Sequence, residues 1–154
     1  MNRIAVIRVR GSAGVRKDIE DTLKNLRLTR VNYCSIVDER DSYLGMLQKV
    51  KDYITWGPID REDVARILRN RGELVGRKRL TDAYVKKNTK YKSIDDFAED
   101  FIKFKAELED IPNLRPFFRL HPPRKGYEGI KRSFIEGGAL GPRESIKDLL
   151  YRMR

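Results

Sequence analysis

The chain has 154 residues, about one domain's worth, with 40% hydrophobic and 37% charged residues, the latter against roughly 25% in average soluble proteins. Its formal net charge of +11 costs self-repulsion in the folded state and points to a polyanionic partner, nucleic acid first. No apolar run approaches the roughly 20 residues that span a bilayer or forms a signal-peptide core, and the single cysteine, Cys34, excludes an internal disulfide framework and fits a reducing, cytoplasmic setting.

The opening stretch RIAVIRVRGSAG reads as a strand and a glycine-containing turn. Ala5, Ile7 and Val9 share one face, and Ile4, Val6, Arg8 and Arg10 the other. Val15, Ile19, Leu23 and Leu26 then recur at helical spacing. RVNYCSIVDE is a second strand, DSYLGMLQKVKDY a second helix anchored by Leu44, Leu47 and Val50, and DYITWG a third strand stopped by Gly57-Pro58. Residues 1–57 therefore read β-α-β-α-β, a small sheet backed by helices on one face. Trp56 reads as a core aromatic near the end of the third strand.

Composition shifts after Pro58. DREDVARILRNRG reads as a helix capped by Asp60, with acids in its first turn and Arg69 and Arg71 before Gly72. Between Arg61 and Lys92 there are eleven Lys or Arg against four acids, concentrated in GRKR and KKNTKYK. SIDDFAEDFIKFKAELED is predicted as a helix over 93–110, capped by Ser93, with Ile94, Phe97, Phe101, Phe104 and Leu108 on one stripe and Pro112 ending it. With seven acids and two lysines from Ser93 to Pro112, it is the acidic island of the chain, suited to solvent or a neighbouring protein and repelled by phosphates. RPFFRL is a short strand, and GPRESIKDLLYRM a closing helix with Ile146, Leu149, Leu150 and Met153 inward.

Catalytic signatures fail one by one. One Cys and one His far apart do not supply a zinc site, and Cys34 in mid-strand reads as a buried small hydrophobe rather than a nucleophile. GSAG at Gly11–Gly14 joins a strand to a helix, where backbone N–H groups can hold a phosphate, but it lacks both the P-loop and the dinucleotide patterns. EGGALG is followed by no lysine and hydroxyl pair. The expectation is a protein with no catalytic residues, no metal and no cofactor.

The basic features carry the functional reading. Runs such as GRKR, with Arg77, Lys78 and Arg79, repel themselves without a counter-anion. Residues 119–143 combine the stiff His121-Pro122-Pro123 path with glycines that permit close backbone approach. Arg119, Arg124, Lys125, Lys131, Arg132 and Arg143 supply phosphate contacts, and His121, Tyr127 and Phe134 could stack on unpaired bases. The segment reads as a loose hairpin, shaped to follow an anionic surface and ordered fully on its partner. On charge and placement, Arg10, Arg16 and Lys17 join the candidate contacts.

The succession VNYCSIV, SYLGMLQKVKDYITWG, FRLHPPRKGYEGIKRSF, EGGALGPR and IKDLLYRM resembles the archaeal branch of the large-subunit ribosomal protein L-thirty family, whose eukaryotic relatives are called L-seven. The resemblance runs nearly end to end, while bacterial members resemble only the part to about Trp56. It implies an α+β fold, with a ferredoxin-like core over 1–57 whose helices lie on one face of a small antiparallel sheet, and a mainly helical, loop-rich extension over 58–154. It also implies a non-catalytic component of the large ribosomal subunit that binds large-subunit rRNA, cytoplasmic in ribosomes, with neighbouring ribosomal proteins met through the acidic helix. Lys49 in GMLQKV, and Arg119, His121, Arg124, Lys125, Lys131 and Arg132, are the RNA contacts it suggests. The alternatives are a free RNA- or DNA-binding regulator on the same core and a nucleotide-dependent enzyme using GSAG or EGGALG.

Overall fold

The computed structural model describes residues 2–154. Its centre is β1 (Arg3–Arg8), paired antiparallel with β2 (Tyr33–Asp38) on one side and β3 (Ile54–Pro58) on the other, so that Val6 faces Ser35 and Trp56 across the two ladders. The helices α1 (Lys17–Asn25) and α2 (Asp41–Lys49) connect these strands. The extension adds β4 (Phe118–Arg119) antiparallel to β2 and β5 (Gly141–Pro142) parallel to β3, giving the order β4-β2-β1-β3-β5.

Period-two alternation in β1 decides what lies on each face. Ile4 and Val6 pack with Leu23 and Leu26 of the α1 region, Leu47 and Val50 of the α2 region, and Trp56. Ala5 and Ile7 point the other way, into a larger cluster built from the extension. That layer comes from α3 (Arg61–Arg71), α5 (Ile94–Ile102) and α6 (Lys147–Arg152), with Leu68, Phe97, Phe101 and Leu149 at its heart. All six residues of β1 are buried because both faces are covered. At about 1.5–3 kcal/mol per buried aliphatic or aromatic side chain, these layers supply the main favourable term in folding.

Two arginines at the ends of β1 are also buried. Arg8 is wholly enclosed and donates to the carbonyl oxygens of Leu28 at 2.8 Å and Arg10 at 2.9 Å and to Ser12 Oγ at 3.2 Å, with Glu20 3.5 Å away. It thereby fixes the GSAG turn against α1. Arg3, 4% exposed, reaches across to the extension. It donates to the carbonyl oxygens of Phe101 and Ala106, each at 3.0 Å, and to both oxygens of Glu107, while its guanidinium lies 4.0 and 4.1 Å from the ring centroids of Phe101 and Phe104.

Arg3 also explains where the structure departs from the expected helix over 93–110. The helix α5 is capped by Ser93, whose Oγ accepts from Asp96 N–H at 3.2 Å, but it ends at Ile102. Phe104 adopts a left-handed conformation (φ 61°), Lys105 N–H returns to the Asp100 carbonyl at 2.9 Å, and Leu108–Asp110 forms a separate 3-10 turn. The carbonyls that would continue the helix are held by a residue a hundred positions away, a long-range partner that periodicity cannot register. Sequence reading also passed over α4 (Asp82–Asn88), capped by Thr81, because the lysines of KKNTKYK masked a short amphipathic turn. At the other end, α6 begins only at Lys147, since Gly141 and Pro142 are drawn into the sheet beside Thr55 and Trp56.

Cys34 is buried, and burial pushes its thiol from 9.0 up to about 12. The folded state therefore retains this proton when the unfolded chain has lost it, so the group withdraws stability as pH rises from about 9 towards 12 and is silent below that window. At pH 8 the native protein is expected to leave Cys34 unlabelled by a disulfide-exchange reagent until urea unfolds it. Rapid stoichiometric labelling of the folded chain would contradict this placement.

Candidate nucleic-acid interface

Strand polarity gives the molecule two chemically different ends. Where β1 begins, Arg3 pairs in register with Asp38, Asn2 binds Glu39, and Lys147 meets Asp60 and Glu62 at the start of α3. Here Asp60 N-caps α3 in a reciprocal box with Asp63. The Asp60 carboxyl is held below its ordinary value, because its hydrogen bonds to Asp63 N–H and Lys147 outweigh its partial burial.

Where β1 finishes, the chain collects its cations. The N–H groups of Val9 and Arg10 both point at the Tyr53 carbonyl, which places the turn before α1 beside the end of α2. Arg10, Arg16, Lys17 and Lys49 belong to this end; Lys17 and Lys49 are exposed, and Arg16 forms a surface pair with Asp18 at 3.1 Å. Residues 120–140 are fastened to the same end. Leu120 N–H donates to Asn32 O, Tyr127 OH donates to Asn32 Oδ1 at 2.6 Å, and the N–H groups of His121 and Arg124 donate to the carbonyls of Met153 and Arg152.

The segment expected as a loose hairpin is instead a closed loop with its own hydrogen bonds. Leu140 N–H donates to Arg132 O, Phe134 N–H to Leu140 O and Ala139 N–H to Gly129 O. Gly138 is required at the crossing: a Cβ there would lie 2.1 Å from the Arg132 carbonyl oxygen. The loop carries Lys131 and Arg132 outward together with Ile130 and Ile135, the latter 87% exposed.

Several residues singled out for stacking or phosphate contact have internal roles. Tyr127 is packed against Val9, Ala139 and Leu140, where burial raises its phenol, so its ring is not presented to bases. Phe134 is exposed but lies under the Arg143 guanidinium, 4.6 Å from its ring centroid. Arg143 is half-buried and donates to Thr55 Oγ1 at 2.8 Å and Ala139 O at 3.1 Å; burial lowers its guanidinium from the ordinary value. Arg119 donates to both oxygens of Glu73, an arrangement that favours its protonated form still more strongly. His121 is exposed, with Nδ1 2.6 Å from Pro122 O.

Arg77 and Arg79 from GRKR, and Arg119 and Arg124 from the later segment, line one open cavity of about 810 Å³. Lys78, Lys125, Lys131 and Arg132 are exposed and lie outside its lining. The same wall holds Arg71 and Arg154, which sequence reading did not select. Arg71 read only as a helix-end cation, and nothing local marks the last residue; only the packing of α6 beside residues 121–124 brings it there. Among the described residues no group of three or more His, Cys, Asp or Glu is placed to hold a metal ion, and no helix is long and apolar enough to cross a membrane.

A sheet backed by helices on both faces, with basic loops gathered at one end, defines an α+β protein with a cationic surface. The family described as ribosomal protein L30p/L7e matches residues 4–54, spanning β1 to the start of β3. Beyond that core, the chain is 56% identical over 148 residues to the large ribosomal subunit protein uL30 of Methanopyrus kandleri, covering 94% of this chain and 99% of that protein. It is 53% identical over 149 residues to the protein of the same name from Methanobrevibacter smithii (96% and 97% covered) and 49% identical over 151 residues to that of Methanocella arvoryzae (97% and 99%). The chain belongs to the ribosomal protein L30p/L7e family, in agreement with the resemblance drawn from its motifs. Its relatives are ribosomal proteins and not enzymes, as the failed catalytic signatures led us to expect.

Proposed function

We propose that the chain is a structural constituent of the large ribosomal subunit that binds and stabilises large-subunit rRNA in cytoplasmic ribosomes. The near end-to-end match to proteins named as large-subunit components carries this reading. The cation-rich end of the sheet supports it, since Lys and Arg placed along a phosphate backbone release condensed counterions and hold RNA segments in position. In this reading the core over 1–57 offers Arg10, Arg16, Lys17 and Lys49, and the extension over 58–154 offers Arg77, Lys78, Arg79, His121, Arg124, Lys125, Lys131 and Arg132. Arg119 and Arg143 act by holding the surface in shape. The acids of α5 turn towards a neighbouring ribosomal protein: Asp95 and Glu99 are exposed and already lie beside Arg69 and Lys103.

The test is sedimentation of a native lysate with and without a high-salt wash. The protein should travel with large subunits, and reversing exposed Arg124 and Lys125 to Glu should lower its incorporation several-fold with the melting temperature unchanged. A wild-type chain found at the top of the gradient would indicate a free regulator instead.

A further inference from the structure

We infer that the arginine-lined cavity is a phosphate socket, which seats a protruding turn of rRNA backbone and reads it by charge and shape rather than by base identity. This rests on the rRNA-binding reading above and goes further by assigning the site and the part of the RNA it takes. Six arginines from five places in the chain converge there: Arg71 at the end of α3, Arg77 and Arg79, Arg119 in β4, Arg124, and Arg154. The one carboxylate in the wall, Glu73, has both oxygens occupied by Arg119. Its charge therefore cancels one arginine and leaves five. Arg79 donates to Asn70 O at 2.7 Å and keeps the rest of its fork for an external acceptor.

The lining narrows the ligand. It contains no aromatic or aliphatic side chain, so the recognition it offers is that of guanidinium forks, which pair with phosphate oxygens. A concave wall of guanidinium groups suits phosphates crowded together where an RNA strand turns sharply, because each can be held by paired N–H donors.

Backbone conformation supplies a means of testing the socket. Arg77 has φ +63°, directly after Gly76 at φ +88°, and Lys125, next to Arg124, has φ +66°. Left-handed backbone is unfavourable for a long side chain and natural for glycine. Of these two cations only Arg77 lines the cavity, and it holds its place there at a local conformational cost.

That strain makes the test decisive. Arg77→Gly removes a cation while relieving the backbone, so a merely structural role predicts equal or greater stability and unchanged binding. We would measure binding of the full-length wild-type chain, R77G and R154Q to deproteinised large-subunit rRNA across a salt series, together with their melting temperatures. Each variant is expected to bind several-fold more weakly and to flatten the salt dependence by about one phosphate contact, with R77G melting no lower than wild type. Wild-type affinity and salt slope in both variants would overturn the socket, including the case in which an acidic protein segment fills it, while leaving rRNA binding intact. Failure of the wild-type chain itself to bind would instead remove the reading on which the socket rests.

Discussion

Replacing Arg3 by alanine is expected to cost about 2–4 kcal/mol of folding stability, from a buried acceptor left unsatisfied and the loss of two cation–ring contacts. The loss has three sources: the buried Ala106 carbonyl loses its donor and that of Phe101 keeps only Phe104 N–H; Glu107 loses its partner; and the guanidinium leaves its place between the Phe101 and Phe104 rings. Their relative weights can be separated. Glu107 is more than half exposed, and an ion pair to such a carboxylate contributes on the order of 0–1 kcal/mol, so Glu107→Gln should be nearly neutral. The carbonyl hydrogen bonds and ring contacts then account for most of the cost, since one unsatisfied buried acceptor, the Ala106 carbonyl, costs about 1–3 kcal/mol. Urea unfolding of both variants is the measurement, with hydrogen exchange at Phe104 and Lys105 reporting where the damage lies. A loss for Arg3→Ala no larger than that for Glu107→Gln would show that Arg3 does not hold the extension onto the core.

The second large effect is electrostatic. Binding to deproteinised rRNA is expected to fall by about a thousandfold or more between 50 and 200 mM salt, the behaviour of a protein that neutralises six or more phosphates. The structure sharpens this by dividing the cations into two groups. Neutralising Lys131 and Arg132 together, both exposed on the closed loop, should reduce the apparent number of phosphate contacts by about two. Neutralising Arg119 and Arg143 should leave that number nearly unchanged but lower the melting temperature, because their donors already serve Glu73, Thr55 and Ala139. Equal salt slopes for the two double variants would refute this division.

Much of the fold was legible because it is written in local periodicity. The alternation of Ile4 to Ile7 placed two sets of side chains on two faces; the sequence reading set helices of the core on one of them, and the extension covers the other. Asp60 and Ser93 were readable as caps because an N-cap acts on residues three positions away. The failures lie where a distant partner decides the outcome. The end of α5 is set by Arg3, and the late start of α6 by pairing of residues 141 and 142 with β3. The basic character of residues 119–143 was evident, yet Tyr127 and Phe134, alike as exposed-looking aromatics in sequence, separate into a packed ring and an arginine-covered one.

For this protein the sequence by itself determined the strand-helix order of the core and the family, because periodicity and motif succession are properties of the chain as written. Only the tertiary structure decided which cations lie together. Arg71, Arg77, Arg124 and Arg154 become neighbours when α3 and α6 pack on the same face of the sheet, and a guanidinium's availability to an external anion depends on whether a carbonyl or carboxylate from elsewhere in the fold has already taken its donors.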